Sequence, residues 1–372
     1  MTFLISFFKK QYVFCISSLF AIISAFFVKP SLNYLSYFDW NTLSMLFCLM
    51  LTVAGLEKCG IFLRMARFLT SYVRNSRSLA FLLVFLSFFS SMFITNDVAL
   101  LTFVPFAILL FSGEKSFPSW ILLYVVVLQT LAANLGSMLT PVGNPQNIFL
   151  FSKMNLSPVD FILILLPYSL ISALFLALSL FIIPRLNFNY KKDDDNEDYS
   201  QGQSPKKWHS FLYALMFLLC LLAVGGLFPK LILLPLFALS IFFIDRKLLF
   251  SIDYWLLLTF CAFFVFSGNI SNIPAVSSFL SEALKGREFI LPLLISQVIS
   301  NVPATILLYP FASDLKSLLL GVNIGGLGTL LASLASLISF KLYTKKEGRA
   351  LKYLAVFSLA NILLLALFIL LI

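Results

Sequence analysis

One histidine, His209, is all the imidazole this 372-residue chain holds, which argues against a zinc or haem centre. The five cysteines, Cys15, Cys48, Cys59, Cys220 and Cys261, lie in or beside apolar segments and form no CxxC pair. They read as small core residues, not as a disulfide framework or a metal site. Charge is scarce too: Asp, Glu, Lys and Arg make up 11% of the residues, against about 25% in a soluble domain. There is no GxxxxGK(S/T) loop, so ATP is not hydrolysed by that route, and no HExxH or Ser/His arrangement lies in an apolar run. No catalytic residues, no cofactor and no structural metal are expected.

What is abundant is apolar surface. Hydrophobic residues make up 60% of the chain, and 43 of the 372 are Phe. A water-soluble fold of this size could not hide that much, so much of it must face lipid. Runs long enough to cross a bilayer fall near 11–28, 41–57, 119–147, 158–184, 209–225, 229–244, 254–268, 317–340 and 353–371. Two further apolar stretches, near 78–112 and 289–313, are interrupted at their centres by Thr95-Asn96-Asp97 and by Ser300-Asn301. A straight helix would leave those polar groups in hydrocarbon, which is costly. Each stretch therefore reads as a re-entrant hairpin of two short helices meeting at a polar tip. Lys9 and Lys10 precede the first run with no small-residue cleavage site behind it, so a cleaved leader is not expected.

The basic residues give an orientation. With the N-terminus in the cytoplasm and the hairpins adding no crossing, only Lys29, Lys153, Lys230, Lys285, Arg287 and Lys316 fall outside; the other twenty of the 26 Lys and Arg fall inside. That is the bias of the positive-inside rule, and it puts the C-terminus in the periplasm. The net charge of +10 is then a matter of orientation, and no nucleic-acid partner is needed; the partners expected are the lipid bilayer and a small-molecule or ion substrate. The stretch 58–77, with arginines spaced among apolar residues, is compatible with an amphipathic surface helix or a cytoplasmic loop. Residues 186–208 are polar and form a cytoplasmic linker that divides the chain into membrane units 1–185 and 209–372.

The two units resemble each other. Thr95-Asn96, Ala99 and Pro105-Phe106-Ala107 match Ser300-Asn301, Ala304 and Pro310-Phe311-Ala312 without a gap. Asn134-Leu135-Gly136-Ser137 with Thr140 matches Asn323-Ile324-Gly325-Gly326 with Thr329. Asp39-Trp40 leading to Gly55 resembles Asp253-Tyr254-Trp255 leading to Gly268. Five crossings separate the starts of 41–57 and 254–268, and an odd number inverts the second copy. The fold class expected is thus an all-α polytopic membrane protein of two inverted repeats, each with a re-entrant hairpin and a broken transmembrane helix (119–147 and 317–340). Such breaks at matching positions mark a transporter's binding site.

The candidate site follows from those breaks. Within Asn134–Asn147, Pro141 and Pro145 withhold amide hydrogens and Gly136 and Gly143 permit unusual turns, so the helix unwinds and frees carbonyls. Thr95, Asn96, Asp97, Asn134, Gly136, Ser137, Thr140, Pro141, Gly143 and Asn144 from the first half, and Ser300, Asn301, Val302, Pro303, Asn323, Gly325, Gly326 and Thr329 from the second, are the candidate substrate- and ion-binding residues. Asn96, Asn134, Asn301 and Asn323 should converge around one site. A Na+ ion would find oxygen ligands at Thr95, Asn96, Asp97, Asn134, Ser300, Asn301 and Asn323. Asn96, Asp97 and Asn301 could instead merely cap the returning hairpin helices. Asp97 is the one acidic residue outside loops, linker and span ends, which makes it a candidate for coupling to Na+ or H+; Val302 stands at the matching place.

At FITNDVALLTFVPF, NLGSMLTPVGNPQNI, SQVISNVPATILL and VNIGGLGTLLASLASLI the sequence resembles the ion-transporter superfamily of arsenite permeases, NhaD-type sodium/proton antiporters and divalent-anion/sodium symporters. Within it, the likeness is to YbiR-like bacterial inner-membrane transporters and covers essentially the whole chain. The resemblance implies secondary active transport of a small ion or anionic solute across the bacterial inner membrane, elevator-type movement and a homodimer. In the symporters a Ser-Asn-Thr motif at each tip helps bind Na+ and substrate; Thr95-Asn96-Asp97 and Ser300-Asn301-Val302 each lack part of it. The alternatives are an NhaD-type cation/proton antiporter, a passive channel, and a membrane-embedded enzyme. For the enzyme, the only support is the DDxxD-like run Asp194-Asp195-Asn196-Glu197-Asp198, which sits in the hydrophilic linker and reads as solvated charge.

Overall fold

The computed structural model describes residues 11–113, 117–188 and 207–371. Lys9, Lys10, Lys115, most of the linker and its acidic run lie outside the described residues. Among those described the regular structure is helical, with seventeen α-helices: α1 Tyr12–Phe27, α2 Trp40–Lys58, α3 Ile61–Thr70, α4 Ser76–Ile94, α5 Asn96–Gly113, α6 Ser119–Ser137, α7 Pro145–Lys153, α8 Pro158–Leu180, α9 Lys207–Val224, α10 Lys230–Asp245, α11 Tyr254–Ser271, α12 Pro274–Leu284, α13 Ile290–Ile299, α14 Asn301–Leu308, α15 Leu315–Ile324, α16 Leu334–Glu347 and α17 Ala350–Leu371. Seven of them, α2, α4, α5, α6, α8, α11 and α17, are long and apolar enough to cross a membrane. The five cysteines are free.

Side-chain caps mark where helices begin. Asp39 accepts from the Thr42 amide at 3.0 Å and Asp253 from the Leu256 amide at 3.1 Å, so the first turns of α2 and α11 are closed in the same way. Helix α6 carries no charged side chain on any face and is buried from Ile121 to Ser137 apart from Tyr124. A helix with no charged face belongs at the centre. Around it, α8 and α17 expose Leu163, Leu170, Leu174, Leu359 and Ile362, as expected of helices whose outer face meets lipid. The stretch at 58–77 contains a helix: α3 buries Phe62, Ala66 and Thr70, one stripe at every fourth residue, and exposes Arg64 and Phe68.

Both polar-interrupted stretches break at the tip residue. Regular structure is interrupted at Thr95, between α4 and α5, and at Ser300, between α13 and α14. The expectation of short arms fails in the first half. There α4 and α5 have 19 and 18 residues, each about 28 Å long, whereas α13 and α14 have 10 and 8. The matched prolines show why. After Pro105 the chain stays apolar and the helix carries on through it. After Pro310 it soon reaches Ser313 and Asp314, and Asp314 caps the next helix through the Lys316 and Ser317 amides.

The long helices break where glycine, proline and asparagine cluster. Helix α6 stops at Ser137 and α7 begins at Pro145; α15 stops at Ile324 and α16 begins at Leu334. Contacts between distant segments join ends that the basic-residue pattern places on one side. Arg77 donates to the carbonyls of Ile183 and Phe181 at 2.7 and 2.9 Å, Lys58 pairs with Asp245, and Arg349 bonds Ser119. On the other side Lys153 pairs with Asp39 at 2.7 Å and Asn272 donates to Tyr37 at 3.0 Å.

Candidate functional site

The two tips share an unusual backbone. Thr95 has φ 69° and ψ 151°, and Ser300 has φ 76° and ψ 153°. Neither is glycine, and a β-branched residue at positive φ is a genuine outlier that costs about 1–3 kcal/mol. Paying it twice at matched positions marks both tips as places the surrounding structure holds in one shape. Ser300 does not cap α14 with its side chain, and Asn96 turns its amide nitrogen to Asn134 Oδ1 at 3.0 Å while its own oxygen takes the Asp97 N–H.

From the tips the contacts lead into the breaks. Thr140 donates its hydroxyl to the Met92 carbonyl, and Thr329 to the Gln297 carbonyl at 2.8 Å. The amide of Asn301 donates to the Ala332 carbonyl at 3.0 Å. Asn134 then reaches into the other half: Ser333 Oγ donates to its oxygen at 3.0 Å, and its nitrogen donates to Ser336 Oγ at 3.2 Å. Asn323 does the same in return. Its oxygen accepts from Asn144 at 3.1 Å, and its nitrogen donates to Asn147 at 2.8 Å. In one unbroken register, Asn134 corresponds to Asn323, Asn144 to Ser333 and Asn147 to Ser336. Each central asparagine thus makes the same two bonds, to equivalent residues of the opposite half.

Glycine is what lets these segments touch. A Cβ on Gly136 would lie 2.0 Å from the Phe88 carbonyl oxygen and 2.6 Å from Ser91 Oγ. One on Gly325 would lie 2.9 Å from Ser296 Oγ and 3.0 Å from Leu293 Cα, the residues of α13 that match Ser91 and Phe88 of α4. A Cβ on Gly326 would meet Asn301 Nδ2 at 2.8 Å, and one on Gly143 the Ser137 carbonyl oxygen at 2.1 Å.

The structure therefore brings Asn96, Asn134, Ser137, Asn144, Asn301 and Asn323 into one buried, uncharged group, none of the five asparagines more than 8% exposed. Buried amides without partners would each cost about 1–3 kcal/mol, and here Asn96 bonds Asn134 and Asn144 bonds Asn323, while Asn301 accepts from Ser300 Oγ. Thr140, Pro141, Gly143, Gly325 and Gly326 shape the breaks, and Val302 and Pro303 are buried in the first turn of α14. Thr95 and Asp97 are half-buried, and Thr329 is exposed at the edge of the second break. One carboxylate oxygen of Asp97 is buried with no hydrogen-bond partner among the described residues. No cluster of three or more His, Cys, Asp or Glu is found among them, so a cation bound here would rest on amide, hydroxyl and carbonyl oxygens with Asp97. Such hard donors suit a small cation.

Four residues of the centre were not singled out from sequence. Asn147 binds the Met138 and Thr140 carbonyls at 2.9 and 3.0 Å and so ties down the first break. Gln297 does this for the second, binding the Gly325 and Leu327 carbonyls at 2.9 Å each and accepting from the Thr329 amide. Ser333 and Ser336 complete the exchange with Asn134. An amide in an apolar run was the available signal for Gln297; serine is too common in such runs to stand out.

A strongly apolar chain whose described residues form helices, two of them broken around buried amides, belongs to the class of polytopic membrane transporters. The sequence profile of the citrate transporter family matches residues 2–335, and the chain belongs to that family, within the ion-transporter superfamily. An uncharacterized transporter of Methanocaldococcus jannaschii is 34% identical over 82% of this chain and 81% of its own length. The inner membrane protein YbiR of Escherichia coli is 33% identical over 82% of the chain and 80% of its own. A silicon efflux transporter of Oryza sativa is 30% identical over 35% of the chain and 26% of its own.

Proposed function

We propose that the chain is a secondary active transporter that carries a small ion or anionic solute across the bacterial inner membrane, coupled to Na+ or H+. The observation that carries the reading is the reciprocal bonding of Asn134 and Asn323. Equivalent residues that bond each other's half in the same way are what two inverted repeats would produce around a shared centre. The half-helix ends and amide groups then supply the polarity for a solute, and the strained tips are the segments that could open. Movement of the centre relative to α1, α2 and α11, as an elevator, would alternate its access. The inner membrane is the location named for the Escherichia coli relative. The family points to citrate and the rice relative to silicon as solutes worth testing first.

The test is ligand-dependent stability and uptake with purified protein. Citrate, dicarboxylates, arsenite, silicic acid, sulfate, phosphate and amino acids are each added with and without Na+ and at two pH values. A ligand at a hundred times its dissociation constant stabilises the folded state by about 2.7 kcal/mol, which a thermal melt resolves. The expected result is one solute class that stabilises, more strongly with its coupling ion, and that the same ion's gradient drives into proteoliposomes. Uptake of none of them under any gradient would remove the symport reading; Na+ and H+ exchange without a solute would favour the NhaD-type antiporter.

Orientation has its own test. Reporter fusions are expected to place 186–208 in the cytoplasm and the C-terminus in the periplasm. A periplasmic linker would overturn the assignment.

A further inference from the structure

The two halves are not arranged alike where the outer helices meet the centre. In the register of the repeats, α2 corresponds to α11 and α5 to α14. Helix α11 packs directly on α14, with Ser267 Oγ donating to the Ile306 carbonyl at 2.9 Å. Where α2 ends and α3 faces α5 there is instead a cavity of about 320 Å³, walled by Lys58 at the end of α2, by Leu63 and Arg67 of α3, and by Leu101, Thr102 and Phe106 of α5. It lies at the end of α2 that the basic residues place inside. On the orientation proposed above, the first half is thus open towards the inside, while α11 and α14 of the second half are packed together.

One cluster holds the closed end. Asp39, at the start of α2, accepts from Lys153 Nζ at 2.7 Å and from Ser152 Oγ at 3.0 Å, both at the end of α7. The carboxylate is 7% exposed and the ammonium 31%. The same Lys153 ammonium lies 5.7 Å from the Phe149 ring centre and 5.9 Å from that of Tyr309, just beyond α14. Phe149 in turn packs on Tyr309 and on Phe264 of α11. Burial pushes the Asp39 carboxyl up, but the hydrogen bonds from Lys153 and the Thr42 N–H outweigh it and hold the group below the usual carboxylate range. It is therefore charged at neutral pH.

The cluster has no counterpart in the other half. Asp253 keeps the capping role of Asp39, but the position matching Lys153 is Leu342. The geometry points to Asp39 and Lys153 as a one-sided latch that ties the mobile centre to α2 and biases the transporter towards its inward-open state. This rests on the orientation and the alternating access proposed above. In the opposite state the end of α2 with α3 would close on α5 over the Thr102 cavity, α11 would part from α14, and the ion pair would be broken.

The test reads accessibility at Thr102. Thr102→Cys is labelled with a membrane-impermeant maleimide from each side of sealed vesicles, against the chain without that substitution. Asp39→Asn keeps an N-cap for α2 and removes the ion pair; Lys153→Met removes it from the other end; Lys153→Arg keeps it. Labelling from the inner side is expected to fall severalfold with Asp39→Asn and with Lys153→Met, and to stay near the parent rate with Lys153→Arg. Equal inner-side labelling in all four chains overturns the latch and leaves the orientation standing. Labelling only from the outer side overturns the orientation, and with it the outward placing of the latch. A melting temperature for each variant within a few degrees of the parent separates a shift in state from a failure to fold.

Discussion

Gly136→Ala is expected to destabilise the protein by about 3 kcal/mol and to abolish most of its uptake, although alanine is the better helix former by about 1 kcal/mol. The added Cβ would sit 2.0 Å from the Phe88 carbonyl oxygen. That atom is backbone, held in α4, and cannot rotate away. Relief requires α4 and α6 to part, and that would draw apart the Thr140–Met92 contact beside them and with it the tip at Thr95. Overpacking of this kind costs about 1–3 kcal/mol, and a clash with a fixed carbonyl belongs at the upper end. Gly325→Ala should be milder but still costly, because its Cβ would meet the Gly321 carbonyl oxygen at 2.6 Å and Leu293 Cα at 3.0 Å, looser than the 2.0 Å clash at Gly136, while the Ser296 hydroxyl at 2.9 Å can turn. Gly113→Ala meets nothing within 4 Å and should leave stability unchanged or slightly raised. Thermal melts of the three purified variants should fall in that order. If Gly136→Ala melts with the parent, the close crossing of α4 and α6 is not what glycine is there for.

That crossing also shows how far the sequence could be read. Glycine, proline and asparagine at 134–147 and 323–329 announce the broken helices because each acts locally: proline withholds a donor, and glycine permits the approach. The tips were legible for a similar reason, since Thr95-Asn96-Asp97 and Ser300-Asn301 interrupt apolar runs. Partnership is another matter. Nothing local says that Asn134 will bond Ser333 and Ser336, or that Asn323 will bond Asn144 and Asn147; that depends on how the halves dock. Thr140 and Thr329 match in sequence and make the same kind of bond, yet only Thr140 is buried. The arm lengths of the first interrupted stretch were misjudged because the polar tip alone was taken to set two short arms, while the apolar run beyond Pro105 carries α5 on to Gly113. Asp39 and Lys153 lay at span ends, where charge is ordinary, and only the fold makes them neighbours.

Asp97→Asn is expected to uncouple transport from its driving ion while leaving the protein folded. Asp97 is the second residue of α5, next to a strained tip, and one of its carboxylate oxygens is buried without a partner among the described residues. An acceptor left bare in such a place is where a cation would be taken up. A unit charge about 4 Å from a bound cation contributes about 4 kcal/mol at an effective dielectric of 20. Losing it should weaken Na+ dependence by well over tenfold if Na+ is the ion. If H+ is the ion, Asp97 binds and releases a proton in each cycle, and Asn, which cannot, should flatten the pH profile of uptake. Asparagine has nearly the same shape, and the favourable helix-end interaction it gives up is only about 0.3–1 kcal/mol. Folding is therefore spared, and the charge alone is tested. Proteoliposomes with imposed Na+ or pH gradients supply the measurement. If Asp97→Asn transports at the parent rate with unchanged ion dependence, the carboxylate serves the fold only, and coupling must reside in the uncharged amides around Asn134 and Asn323.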